Sequence, residues 1–271
     1  DGAAPTPDLM RRSLLLVVGL ALVSVGCFRA FNVRNYPTSV SLFEAGLERY
    51  NAKKYTDAAN AFERLTLDLP SRDSLLPRAH WYLGQSRLKR DERLLAAQAF
   101  IRLAESIPND SLADDAQYMS GKANLGLWPN AALDPQYGLL AQTQFRLLVG
   151  VYPDSPMADS ATVALEALDE RFATKDYETG MHYLRRKAYD SAILYFKDVV
   201  KGWPESDRAR QAMVRMVEIY RLPVLNYTDD AEEVCVTLRA AYPKDAEVLR
   251  TCKLPTATDS TPAPGARPPR P

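Results

Sequence analysis

The feature that most constrains this chain is a spaced set of residues that returns along it. An alanine, a bulky residue four positions on and a proline eight after that occur as Ala58/Phe62/Pro70, Ala96/Phe100/Pro108, Ala141/Phe145/Pro153 and Ala192/Phe196/Pro204. A weaker copy is Ala231/Cys235/Pro243. Residues four apart share one face of a helix. The small residue admits a neighbouring helix and the aromatic fills the space one turn on. Proline cannot continue a helix and pushes the residue before it out of one, so it closes the unit. Twelve residues before the alanine stands a glycine, Gly46, Gly84 or Gly180. Glycine inside a helix costs roughly 1 kcal/mol against alanine, and close approach of two helices is the packing reason that offsets it.

A helix with glycine, a turn, and a helix with the alanine–aromatic pair make a hairpin that resembles the tetratricopeptide repeat of about 34 residues. Gly180, Tyr183, Tyr189, Ala192, Phe196 and Pro204 fit that pattern best. Five such copies predict an all-α solenoid of five helical hairpins. The expected pairs are 39–51 with 55–69, 75–89 with 92–107, and 111–127 with 136–152. Gly121 precedes Ala141 by twenty residues rather than twelve, so about eight residues are inserted around Trp128-Pro-Asn-Ala-Ala-Leu-Asp-Pro135. Two readings of that loop stay open: a contact surface, as loops often are, or a neutral insertion. From Ala158 to Lys187 the apolar pattern meets no breaker, which predicts one long helix at the repeat 3–4 junction. Tyr189–Gly202 completes the fourth repeat, 207–222 and 227–242 form the fifth, and Ala246–Cys252 reads as a capping helix, as terminal repeats need.

At the N-terminus, Met10-Arg11-Arg12 precedes an apolar run that ends in Val23-Ser24-Val25-Gly26-Cys27. Two arginines, a short apolar stretch and small residues read as a secretory signal, with Met10 as the expected start. The run is too short for a bilayer span of ~20 residues. A cysteine at this junction resembles the bacterial lipoprotein signal, which implies lipidation of Cys27. The predicted organisation is a signal peptide over 1–26, a lipidated tether over 27–38, N-terminal repeats 1–3 over 39–153, C-terminal repeats 4–5 with the cap over 154–253, and a disordered, proline-rich tail over 254–271. Stable anchoring by several acyl chains places the body in the periplasm of a double-membrane bacterium or outside a single membrane, and Phe28, which stands where an aspartate would resemble an inner-membrane retention signal, favours the outer membrane.

Together these parts resemble the BamD family, the lipoprotein subunit of the machine that assembles outer-membrane β-barrels. The motifs that carry the resemblance are Gln144-Phe-Arg-Leu-Leu-Val-Gly-Val-Tyr-Pro-Asp-Ser-Pro156 and Tyr183-Leu-Arg-Arg-Lys-Ala-Tyr-Asp-Ser-Ala-Ile193, within a layout that runs from Pro37 to Cys252. The resemblance implies three kinds of partner: the barrel-forming subunit, accessory lipoproteins, and unfolded outer-membrane substrates with aromatic-ending strands. It assigns the N-terminal repeats to substrate and the C-terminal repeats to the machine.

Composition and chemistry narrow the function further. Lysine plus arginine equal aspartate plus glutamate at 34 each, so the chain has no basic footprint for nucleic acid. His80 and His182 are the two histidines, far apart in sequence and each at a helical position, where a lone histidine is more often structural than a ligand. No glycine-rich phosphate loop follows a strand. The expectation is therefore a non-enzymatic protein with no metal and no cofactor. Two candidate sites remain. Phe43, Trp81, Tyr118 and Tyr177 stand three residues before the repeat glycines, so they recur on the first helix of each hairpin, and Val40, Leu47, Tyr50, Gln85, Leu88 and Lys122 would flank them. Such a row suits extended peptides with aromatic side chains, or it serves packing alone. Cys235 and Cys252 either form a bridge, worth ~3 kcal/mol for a loop of this length, or act as two small buried hydrophobes. The other function that fits the repeats is a periplasmic adaptor coordinating envelope constriction or peptidoglycan synthesis. A cell-wall lytic enzyme would need a catalytic domain.

Overall fold

A computed structural model describes residues 31–253 of the chain. The signal segment, Cys27 and the proline-rich tail lie outside the described residues. Within them all regular structure is helical. After a short 3-10 turn at Val33–Asn35 come α1 (Ser39–Asn51), α2 (Tyr55–Asp68), α3 (Leu76–Lys89), α4 (Arg93–Ser106), α5 (Ala113–Leu125) and α6 (Gln136–Val151). They are followed by α7 (Pro156–Arg185), α8 (Tyr189–Gly202), α9 (Asp207–Tyr220), α10 (Thr228–Ala241) and α11 (Ala246–Thr251). Each helix packs on the one before it. The first helices of successive hairpins also touch, α1 on α3, α5 on α7 and α7 on α9. This is a tetratricopeptide-repeat solenoid of five hairpins.

The repeated residues do the work that their spacing implies. Phe62, Phe100, Phe145 and Phe196 are all fully buried. Each lies against the glycine of its own hairpin. A Cβ added at Gly46, Gly84, Gly121 or Gly180 would come within 2.9, 2.6, 2.5 or 2.7 Å of the matching phenylalanine ring. Alanine's methyl therefore does not fit where glycine stands. Every second helix stops two residues before its proline, at Asp68, Ser106, Val151, Gly202 and Ala241.

Four of the five hairpin turns share a device with no glycine in it. Lys53, Asp91, Lys187 and Asn226 have positive φ, at 58°, 61°, 59° and 49°, each five residues before its repeat alanine. In the first, second and fourth hairpins the amide after the left-handed residue donates back to a carbonyl of the preceding helix: Lys54 to Arg49, Glu92 to Arg87, and Ala188 to Tyr183. This is the Schellman pattern, which normally recruits glycine.

The third hairpin is built differently. Trp128, at the start of the inserted loop, is fully buried. Its ring stacks on Phe172 of α7 at 4.8 Å and fills the space left by Gly138, where a Cβ would come within 2.2 Å of the indole. Arg171 donates to the Trp128 carbonyl at 2.7 Å, and Lys175 donates to the Leu133 carbonyl at 2.9 Å. The insertion is thus fastened to the middle of α7 by one buried indole and two cations spaced one helical turn apart.

The long helix α7 begins at Pro156, two residues before the start read from the sequence. Proline is accepted at the first helical position, and the Ser155 hydroxyl caps the end by accepting from the Met157 amide at 3.0 Å. The helix has 30 residues, ~45 Å at 1.5 Å per residue. Its first half lies in a core with Phe145 and Trp128 through Ala161, Leu168 and Phe172. Its second half, from Ala173 and Tyr177, lies in the core of the last two repeats.

At the far end α11 closes the solenoid. Val248 and Cys252 are buried, and Cys235 and Cys252 are joined as a disulfide with Cα atoms 5.3 Å apart. Arg210 pairs with Asp245 at 3.4 Å and Glu247 at 3.1 Å. Arg215 reaches Glu247 at 3.3 Å. No helix among the described residues is long and apolar enough to cross a membrane.

Candidate functional site on the face of the first helices

The aromatic row recurs on α1, α3, α5 and α7, but its members pack inward on their own hairpins rather than on one another. Phe43 meets Phe62 at 5.5 Å, Trp81 meets Phe100 at 5.4 Å, Tyr118 meets Phe145 at 5.7 Å and Tyr177 meets Phe196 at 5.4 Å. Each of the first four hairpins therefore contains a two-ring unit, one ring per helix. Tilted and edge-on arrangements such as these suit the aromatic quadrupole.

Two members of the row are withdrawn from any ligand. Phe43 is 3% exposed and Tyr177 6%. Cations from the next first helix cover both rings. The Arg78 guanidinium lies 4.7 Å from the Phe43 ring, and that of Arg208 lies 4.9 Å from Tyr177. Arg208 is held in place by donation to the Thr174 hydroxyl at 3.1 Å and to Gln211 at 2.7 Å. These two positions are core, because the stacking of one first helix beside the next brings an arginine across them. Arg78 stands three residues before Trp81 and shares its helix face; that spacing was the available signal for the cover, and it was missed.

The centre of the row keeps accessible surface. Trp81 and Tyr118 are half-buried, as are Leu47, Tyr50, Gln85 and Leu88, while Val40 and Lys122 are exposed. The Lys122 ammonium lies 5.4 Å from the Tyr118 ring on the same helix. Tyr50 packs edge-on to Tyr55 and Tyr82. Burial pushes its hydroxyl above the usual tyrosine range, and the two neighbouring tyrosines add to that, so it stays a neutral donor at physiological pH. Tyr82, absent from the sequence-derived set, ties this end together by meeting Phe43, Tyr50 and Phe62 within 6.2 Å. Chemically, this surface offers an indole and a phenol for apolar or aromatic side chains, with Gln85 and Lys122 to meet carbonyl or carboxylate oxygens.

The histidines lie apart from the row's chemistry. His80 is half-buried on α3, and its Nδ1 has no hydrogen-bond partner among the described residues. Burial, with the Arg102 charge beside it, holds its pKa down to about 4, so it is a neutral packing residue. His182 is exposed, against the edge of the Tyr183 ring at 5.7 Å.

Comparison with known proteins adds a family to this geometry. The model of an outer membrane lipoprotein family, YfiO, matches residues 36–236. The outer membrane protein assembly factor BamD of Rickettsia prowazekii (strain Madrid E) is 24% identical over 235 residues, covering 85% of this chain and 90% of that one. The protein of the same name from Vibrio cholerae serotype O1 is 29% identical over 154 residues, 53% of this chain and 63% of that one, less than two thirds of its length. Among solved structures, the tetratricopeptide-repeat domain of P58(IPK) aligns with 79% of this chain and 54% of that one at 13% identity, with a TM-score of 0.41.

Proposed function

The chain belongs to the YfiO family of outer membrane lipoproteins, and on that premise we propose that it is a non-enzymatic assembly factor for outer-membrane proteins. The observation that carries this reading is the family match over residues 36–236, which begins before α1 and ends within α10. The names of the two relatives point the same way. A solenoid of stacked hairpins suits the task, since it presents a long surface to several partners at once.

Residues 1–26 are the signal and Cys27 carries the lipid that holds the protein at the outer membrane, with the repeats facing the periplasm. Repeats 4–5 with the cap contact the barrel-forming subunit and accessory lipoproteins. Repeats 1–3 receive unfolded substrates, whose aromatic side chains meet Trp81 and Tyr118. Cys27→Ser leaves a folded solenoid that no longer follows the membrane. Fractionation of the two forms checks this, and equal retention in the membrane pellet would rule out the lipid.

The substrate assignment is tested on Trp81→Ala. Truncating a buried aromatic anchor costs ~2 kcal/mol of binding or more, about a 30-fold rise in Kd, for a peptide ending in an aromatic-rich strand. Binding of the barrel subunit stays unchanged. Because Trp81 also rests on Phe100, melting temperature is measured on the same protein and beside Trp203→Ala, whose ring stacks on Phe172 at 6.2 Å outside the row. Unchanged peptide affinity in a folded Trp81→Ala protein removes the groove while leaving the scaffold reading in place.

A further inference from the structure

The five second helices hold equivalent places in their hairpins, so each is a control for the others. α2, α4, α8 and α10 carry between three and five charged residues each, and at most two exposed large apolar side chains. α6 breaks the pattern. Arg146 is its one charged residue, and its exposed face carries Leu139, Leu140, Leu147 and Val151, between 40% and 58% exposed. This face is separate from the row on the first helices.

A second observation lies on the same face. Gly150 is exposed in the last turn of α6. Five other helical glycines, at 46, 84, 121, 138 and 180, are each pressed against an aromatic ring, but a Cβ on Gly150 would meet nothing within 4 Å among the described residues. Its φ is not positive either, so no turn requires it. Gly202, the other open helical glycine, is the last residue of its helix. Neither packing against the described residues nor backbone conformation accounts for Gly150, and close approach of another backbone is the remaining use of a glycine there.

We propose that the outer face of α6 is a docking site for an amphipathic helix of a partner protein, with its apolar stripe over Leu139, Leu147 and Val151, its closest approach at Gly150, and a carboxylate beside Arg146. Leu139, Leu147 and Val151 lie eight and four residues apart, along one i±4 ridge of the kind against which a second helix packs. Thr143 lies between Leu139 and Leu147 and turns its hydroxyl back to the Leu139 carbonyl at 2.9 Å, which leaves its methyl for the interface. Charge decides between occupants. A helix resting on lipid carries a cation-rich flank, whereas α6 has one cation, and acyl chains gain nothing from a glycine. Pairing with α6 of a second copy about a two-fold axis, with Leu140 over Gly150, puts the two Arg146 side chains on one edge about 3 Å apart along the axis, and like charges oppose that.

The test uses a photo-crosslinking residue at Thr143 in the full chain, in intact membranes of cells that make it, with the equivalent probe at Gln98 of α4 as control. The expected result is adducts on one segment of one other protein, at positions three, four or seven apart. Gly150→Gln lowers their yield at least about fivefold without lowering the melting temperature, since the added side chain points into open space. Adducts with lipid, adducts with a second copy of this chain, scattered or absent adducts, or a yield indifferent to Gly150→Gln would each overturn the proposal.

Discussion

Phe100→Ala lowers the free energy of unfolding by about 3–5 kcal/mol, the range for removing a large side chain from a core that cannot collapse around the space. Phe100 is fully buried, sits over Gly84 and holds the edge of Trp81. Its loss therefore frees both helices of the second hairpin and the indole of the candidate site. The companion variant Gly84→Ala gives the sign that a helix alone would not. Alanine in a helix interior is favoured over glycine by roughly 1 kcal/mol, yet here its methyl would come within 2.6 Å of the Phe100 ring, so the protein is destabilised. Urea unfolding of both variants checks the pair. A change below about 1 kcal/mol for Phe100→Ala would show that the ring does not hold the hairpin together.

Trp128→Ala has an effect of the same size, about 3–5 kcal/mol, although its residue belongs to a loop. The indole is fully buried between α6 and α7, stacked on Phe172 and seated over Gly138. Removing it leaves a cavity and takes away the side chain that seats the insertion, leaving the loop tied to α7 by its backbone carbonyls, that of residue 128 to Arg171 and that of Leu133 to Lys175. Unfolding energy, with proteolysis of the 128–135 segment read on the same samples, checks this. A surface insertion of no structural consequence would tolerate the change at a cost near zero.

Reading the chain residue by residue located the helices to within two residues at every end, because the repeat is written in residues whose effects are local and strong. Proline ends each second helix, and glycine beneath an aromatic fixes the hairpin spacing. The turns were less legible. Lys53 and Lys187 take a left-handed conformation with nothing in their side chains to announce it, since the surrounding helices impose it. Trp128 was legible as an inserted residue but not as a core one, because its partners Gly138 and Phe172 are distant in sequence and periodicity does not link a loop to a helix. The candidate site was half legible. Spacing placed Phe43, Trp81, Tyr118 and Tyr177 at equivalent positions, but exposure there depends on the next hairpin. The arginines that cover Phe43 and Tyr177 come from the following first helix, and a pattern confined to one repeat does not contain its neighbour.

The length of α7 bears on how the array comes apart. In a linear array each unit touches only its neighbours, and cooperativity decays with the number of interfaces between two sites. A helix that is a member of two cores removes one such interface. Fraying that starts at the C-terminal cap and reaches Tyr177 cannot stop at a boundary before Phe172, because both rings hang from one unbroken run of helical hydrogen bonds. The third and fourth hairpins are therefore expected to open together, which amide hydrogen exchange along 161–180 would show as one shared opening energy.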